Sequence, residues 1–274
     1  MIVQRAYADN PPLVIELEEH QALAGQLAAA FGNDLFEPLD PLEEMLFLAR
    51  HHDAGWAGTD SAPLVDTVTG LPPSLNETPW PVLLAIGPAS VDFNETFHGY
   101  AGLIASMHVH GLYHDRYGLF DAGAISGLPD EYRGQAAAML EGETRRRRRI
   151  EEALRGNAET ARWVDPDILF CNYFRLQFFD RLALMLNLVA PELIEPAVFR
   201  HVPAAPRREV TISLTTITPG VIGLTPFPFA GGRLEVSFRG RQLPAKPGRR
   251  QAEMIAALGA AEVVTRHFVL LEDA

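Results

Sequence analysis

Over the first two hundred positions apolar residues recur three and four apart, the spacing that buries one face of a helix. In "IELEEHQALAGQLAAAF" (15–31), His20, Leu23, Ala24 and Leu27 share such a face, while Glu18 and Glu19 turn to solvent. "DPLEEMLFLARHHD" (40–53) predicts a second helix, with Asp40 as N-cap, Pro41 at the first position and Glu43 three residues after the cap. Leu42, Met45, Ala49 and His52 fall on one side of it, and Gly55 stops it. "DTVTGLPPSLNETPWP" (66–81), rich in Pro and Thr, reads as a long irregular loop. "NETFHGYAGLIASMHVHGLYHD" (94–115) reads as one helix weakened by Gly102 and Val109. The charged stretch 130–156 predicts a long solvated helix, on which Arg145 to Arg149 go right round the circumference and are balanced by glutamates. "DPDILFCNYFRLQFFDRLALMLNLVAPEL" (165–193) is the most apolar segment and predicts a central helix ended by Pro191.

Past residue 200 the texture changes. "REVTISLTTI", "GVIGLTPFPF", "RLEVSFRGRQL" and "RHFVLLED" are short β-branched and aromatic runs between Gly and Pro, and "GRRQAEMIAALGAAE" (248–262) reads as one short helix. The expectation is a mainly α fold: a helical domain over 1–200 with a small β-rich subdomain, 201–274, packed on it.

Composition narrows the functional classes. The 274 residues are 47% hydrophobic and 21% charged, enough apolar material for a sizeable core. A net charge of −12 disfavours a general nucleic-acid or anionic-membrane partner, which leaves a small-molecule substrate as the expected one. The single cysteine, Cys171, forms no internal disulfide, and no stretch reads as a secretory signal or a membrane span. These features predict a cytoplasmic protein; oligomeric state is not encoded in any pattern found.

The chemistry lies in polar residues on apolar helix faces. His20 occupies the buried phase of the first helix, His52 that of the second with Asp53 at its border, and Asp180 sits among Leu176, Phe179, Ala183 and Leu184. A lone buried histidine is usually a satisfied core residue, and a lone buried aspartate is as often a paired structural charge as a ligand. Three such positions together ask for one cation, because a buried carboxylate is costly without one. His/Asp ligation without cysteine favours Mn²⁺, Fe²⁺, Mg²⁺ or Zn²⁺. Trp56, Arg175 and His98 are candidate substrate contacts: a stacking ring, a phosphate-reaching guanidinium and a rim imidazole.

The order His20…His52-Asp53…Asp180 resembles the H…HD…D motif of the HD superfamily of metal-dependent phosphohydrolases. More closely, "EHQALAGQLA", "RHHDAGW", "LIASMH" and "LTPFPF" are similar to an uncharacterised family of unknown function, DUF3891, over most of the chain. The resemblance implies an HD-like helical bundle with a small C-terminal β-rich (α+β) appendage. It makes His20, His52, Asp53 and Asp180 metal ligands, and His108, at the end of "LIASMH", a further ligand or a proton donor. One metal site is implied, with a second left open by the crowded His98, His108, His110 and His114.

The implied activity is a metal-dependent phosphoesterase acting on a small phosphorylated metabolite or nucleotide with metal-activated water, Asp53 and His108 being the catalytic pair. The alternatives are an HD-like di-iron oxygenase that oxidises a small polar substrate, and a non-catalytic metal- or ligand-binding protein of the same fold.

Overall fold

The first fifteen residues supply two strands, and these decide the architecture. The computed structural model describes residues 1–6, 10–244 and 250–272. The chain opens with β1 (Ile2–Gln4) and β2 (Leu13–Ile15), followed by α1 (Leu17–Ala30), α2 (Leu42–His51) and the short α3 (Ala57–Ser61). Then come α4 (Trp80–Phe97), α5 (Gly99–Tyr113), α6 (Asp130–Arg155) and α7 (Pro166–Leu188). The last part runs β3 (Ala197–Ala205), β4 (Arg208–Thr218), β5 (Val221–Thr225), β6 (Arg233–Gln242), α8 (Gln251–Ala260) and β7 (Glu262–Glu272).

The seven strands form one sheet in the order β1-β2-β6-β7-β5-β4-β3. Neighbours run antiparallel except β5 and β7, which are parallel. Period-two alternation sets its faces. Leu13 and Ile15 of β2 join Val236, Phe238, Phe268 and Leu270 in the main core, whereas Val14 turns to the other side, against Met254 and Leu258 of α8. α1 and α7 lie between the sheet and the remaining helices, so one apolar cluster runs unbroken from Phe199 and Leu224 to Leu48 and Ile104.

The fold is therefore α+β with a large mixed sheet, and the expectation of a mainly α, HD-like helical bundle with a small β-rich appendage is overturned. β1 and β2 are three residues each, too short to show alternation, and β3 carries Arg200, His201 and Pro203. None of the three has a pattern that sequence reading separates from a loop.

Local readings change too. Residues 94–115 are two helices, not one: His98 is extended (φ −157°, ψ 142°), and its Nδ1 accepts from the Tyr100 backbone as the N-cap of α5. The start of α4 was read as loop because Pro79 and Pro81 close the Pro- and Thr-rich stretch 66–81, although both sit at the helix start; Pro88 lies inside the helix. Asp40 does not cap α2: Pro41 is the boundary residue and Asp40 forms a two-pronged pair with Arg162. Leu42, placed on the buried face of α2, is exposed. The C-terminal helix is found at Gln251–Ala260, while residues 248 and 249 of that reading lie outside the described residues.

Candidate metal centre

α1, α2, α5 and α7 each bring one polar group to a common point. His20 comes from the first turn of α1, His52 from the residue closing α2, and His108 and Asp180 from the middle of α5 and of α7. All four are buried, and Asp53, next in sequence to His52, is 19% exposed. Gly55 makes this corner possible. A Cβ there would lie 2.2 Å from the Ile86 carbonyl oxygen, and its own N–H donates to Ser90 Oγ at 2.9 Å. The turn after Asp53 is thereby sealed against α4, and the Asp53 N–H donates to Gln21 Oε1 at 3.0 Å.

The nitrogens and oxygens converge without bonding well to each other. His20 Nε2 lies 3.4 Å and His52 Nε2 3.7 Å from Asp180 Oδ1. His52 Nε2 is 3.8 Å from Asp53 Oδ2, and His108 Nε2 is 3.9 Å from Asp53 Oδ1. The His52 ring meets those of His20 and His108 edge-on, each at 5.4 Å between centres. Both His20 Nε2 and His52 Nε2 are buried without a hydrogen-bond partner. An N–H···O bond prefers roughly 2.7–3.2 Å. Ligands held about 2.0–2.2 Å from one ion, by contrast, sit roughly 3.0–3.5 Å apart. The observed spacings fall nearer the second pattern.

Among the described residues, two groupings bring their ligand atoms within 4.8 Å of one another, His20–His52–Asp53 and His52–His108–Asp180. They share His52, whose Nδ1 is committed to the Ala49 carbonyl at 3.1 Å, so a single free nitrogen serves both. The groupings meet at His52, and their donor set of imidazole and carboxylate is one that a divalent ion accepts.

Neighbouring charges and burial set the protonation of these groups. Burial disfavours charge on His52, but the Asp53 and Asp180 carboxylates outweigh it and raise its pKa to about 9. Burial likewise opposes ionisation of Asp180, yet the His20 and His52 rings and the Arg116 guanidinium hold it well below the usual carboxylate range. His108 is the opposite case: burial dominates and lowers it to about 4.

Sequence reading missed several members. Arg116 Nη1 donates to Asp180 Oδ2 at 3.1 Å and to Gln177 Oε1 at 2.9 Å. It reaches inward from a turn in which Arg116 and Tyr117 are both left-handed (φ 48° and 56°), a conformation costly for side-chain-bearing residues. Asn187 Oδ1 faces His20 Nδ1 at 3.0 Å, and Gln177 Nε2 faces His108 Nδ1 at 2.9 Å. On α7, positions 173, 177, 180 and 187 form a buried polar stripe of Tyr, Gln, Asp and Asn. That stripe was the available signal. For Arg116 there was none, since it lies 64 residues from Asp180.

Three candidates lie elsewhere. Arg175 is buried and spends its guanidinium on the carbonyls of Glu37, Pro38, Pro203 and Ala204, a clamp between loop and sheet. Trp56 is buried beside Thr59 and Pro63. His98 caps α5, its ring edge-on to Trp163. The arginine run of α6 is balanced by Asp92, Glu95, Glu141 and Glu143. No helix among the described residues is long and apolar enough to cross a membrane.

Residues 1–245 match a family model described as "Protein of unknown function (DUF3891)". No curated protein and no solved structure matches the chain.

Proposed function

The chain belongs to the DUF3891 family, and from the chemistry of its buried centre we propose that it is a divalent-metal-dependent hydrolase of small phosphoesters. The observation that carries this reading is the pair of buried Nε2 atoms, on His20 and His52, that meet Asp180 Oδ1 without hydrogen-bonding to it. Buried nitrogens that reach a carboxylate only at such long range leave part of their desolvation cost uncompensated. One divalent ion held by His20, His52, Asp53 and Asp180 removes that cost. The order of these ligands along the chain is that of the HD hydrolases, which supports placing the site in that superfamily's chemistry on a different overall architecture.

When bound, the ion supplies Lewis-acid chemistry, acidifying water and neutralising charge on a phosphoryl oxygen. The protein supplies access, charge and proton handling. Asp53 (19% exposed) and Arg116 (15%) are the members that reach solvent, so substrate enters between a carboxylate and a guanidinium. Arg116 uses Nη1 on Asp180 and Gln177 and keeps further N–H donors for an anionic group, the pairing its fork geometry favours. The remaining ligands lie beneath, closed off from bulk water.

Phosphate release from a panel of sugar phosphates and nucleoside monophosphates tests the reading. Protein reconstituted in turn with Mn²⁺, Fe²⁺, Mg²⁺ and Zn²⁺ is compared with chelated protein and with Asp53→Ala. Turnover of at least one panel member, abolished by chelation and reduced at least about 100-fold in the variant, is the expected outcome. Metal-loaded protein that releases phosphate from none of them contradicts it.

A further inference from the structure

His108 is buried on α5, near enough to the centre to count as a ligand, yet its hydrogen bonds give it another role. An arginine side chain only donates hydrogen bonds. Arg116 Nη1 approaches Gln177 at 2.9 Å, so the oxygen of the Gln177 amide must face Arg116. The amide NH₂ then faces His108 Nδ1 at 2.9 Å, and an NH₂ group also only donates. His108 Nδ1 is therefore the accepting, unprotonated nitrogen, and a neutral ring carries its hydrogen on Nε2. That nitrogen points to Asp53 Oδ1, 3.9 Å away. A ring nitrogen bearing hydrogen offers no lone pair to a metal.

We propose that Arg116 and Gln177 are positioning residues that lock His108 in the Nε2–H tautomer, making it a hydrogen donor beside Asp53 and not a metal ligand. His52 is set the other way: its Nδ1 faces the Ala49 carbonyl, an acceptor only, so its hydrogen is on Nδ1 and Nε2 is free once neutral. Two imidazoles 5.4 Å apart are thus assigned opposite tasks by their back-side partners. Burial of His108 agrees with a neutral ring. The donor it presents sits on the Asp53 side, where the site meets solvent, and so where a leaving-group or substrate oxygen arrives. This last role rests on the hydrolase reading; the tautomer does not.

Long-range ¹⁵N–¹H correlation spectra of the metal-free, ¹⁵N-His-labelled full chain read the tautomer directly, His108→Ala identifying the signal. The expected wild-type pattern is Nε2–H for His108. In Gln177→Glu the carboxylate still pairs with Arg116 but can only accept from the ring, so His108 should switch to Nδ1–H. Metal titration supplies the second arm: His108→Ala should bind within about threefold of wild type, whereas His52→Ala should lose about 100-fold or more. A wild-type Nδ1–H signal, no switch in Gln177→Glu, or loss of metal in His108→Ala overturns the proposal. If no protein in the series binds metal, the hydrolase reading fails while the spectra still decide the tautomer.

Discussion

At the level of single residues, a proton occupies the centre where we propose that a cation binds. Without metal, His52 carries a proton between Asp53 and Asp180, its pKa raised to about 9 from an ordinary value of 6.5. A raised folded-state pKa contributes stability that is complete below 6.5 and is lost as pH climbs through 9. Metal-free protein should therefore lose on the order of 2–3 kcal/mol of unfolding free energy between pH 6.5 and 9.5, read by denaturant titration. His52→Gln should flatten that dependence, and an unchanged slope in the variant would show that other groups cause it. Five of the residues gathered here, His20, His52, Asp53, His108 and Asp180, were legible in the sequence because a polar side chain on or beside an apolar helix phase is visible in one chain. Arg116 was not, since its inward direction comes from a left-handed turn that leaves no trace in hydrophobic spacing.

At the scale of elements, the site depends on corners more than on helices. α2 ends at His51, and the chain must turn at once to leave His52 inside and Asp53 at the edge. Gly55 allows that turn by letting its backbone touch α4, with no room for even one methyl group. Gly55→Ala should cost about 3 kcal/mol in thermal or denaturant unfolding, well above an ordinary loop substitution, because either α4 or the turn must shift. A variant as stable as wild type would mean that the corner relaxes freely. Helices with clean 3.6-residue spacing, α1, α6 and α7, were readable nearly to their ends. α4 was hidden by its prolines, and the α4–α5 break at His98 by continuous helix-compatible composition on both sides.

Across the whole molecule, the sheet is what sequence reading underestimated. Its central strands announced themselves through β-branched alternation, whereas β1, β2 and β3 are short or polar and join it only through long-range pairing: Leu13 pairs with Gln242. Because α1 and α7 rest on this sheet, His20 and Asp180 are held by elements whose outer faces touch strands from both ends of the chain. Arg175, read as a phosphate contact, belongs to that framework. Its burial among four carbonyls ties α7 to β3 and the loop before α2.

We propose that this framework holds one divalent ion. Metal content of purified, reconstituted protein, measured by plasma mass spectrometry beside His20→Ala and Asp180→Ala, tests it most directly. Wild type should carry about one equivalent and each variant below about a tenth, both variants remaining folded by circular dichroism. Wild-type protein that stays metal-free after reconstitution above pH 9, where His52 has released its proton, would contradict it and leave His20, His52, Asp53 and Asp180 as a structural ion cluster.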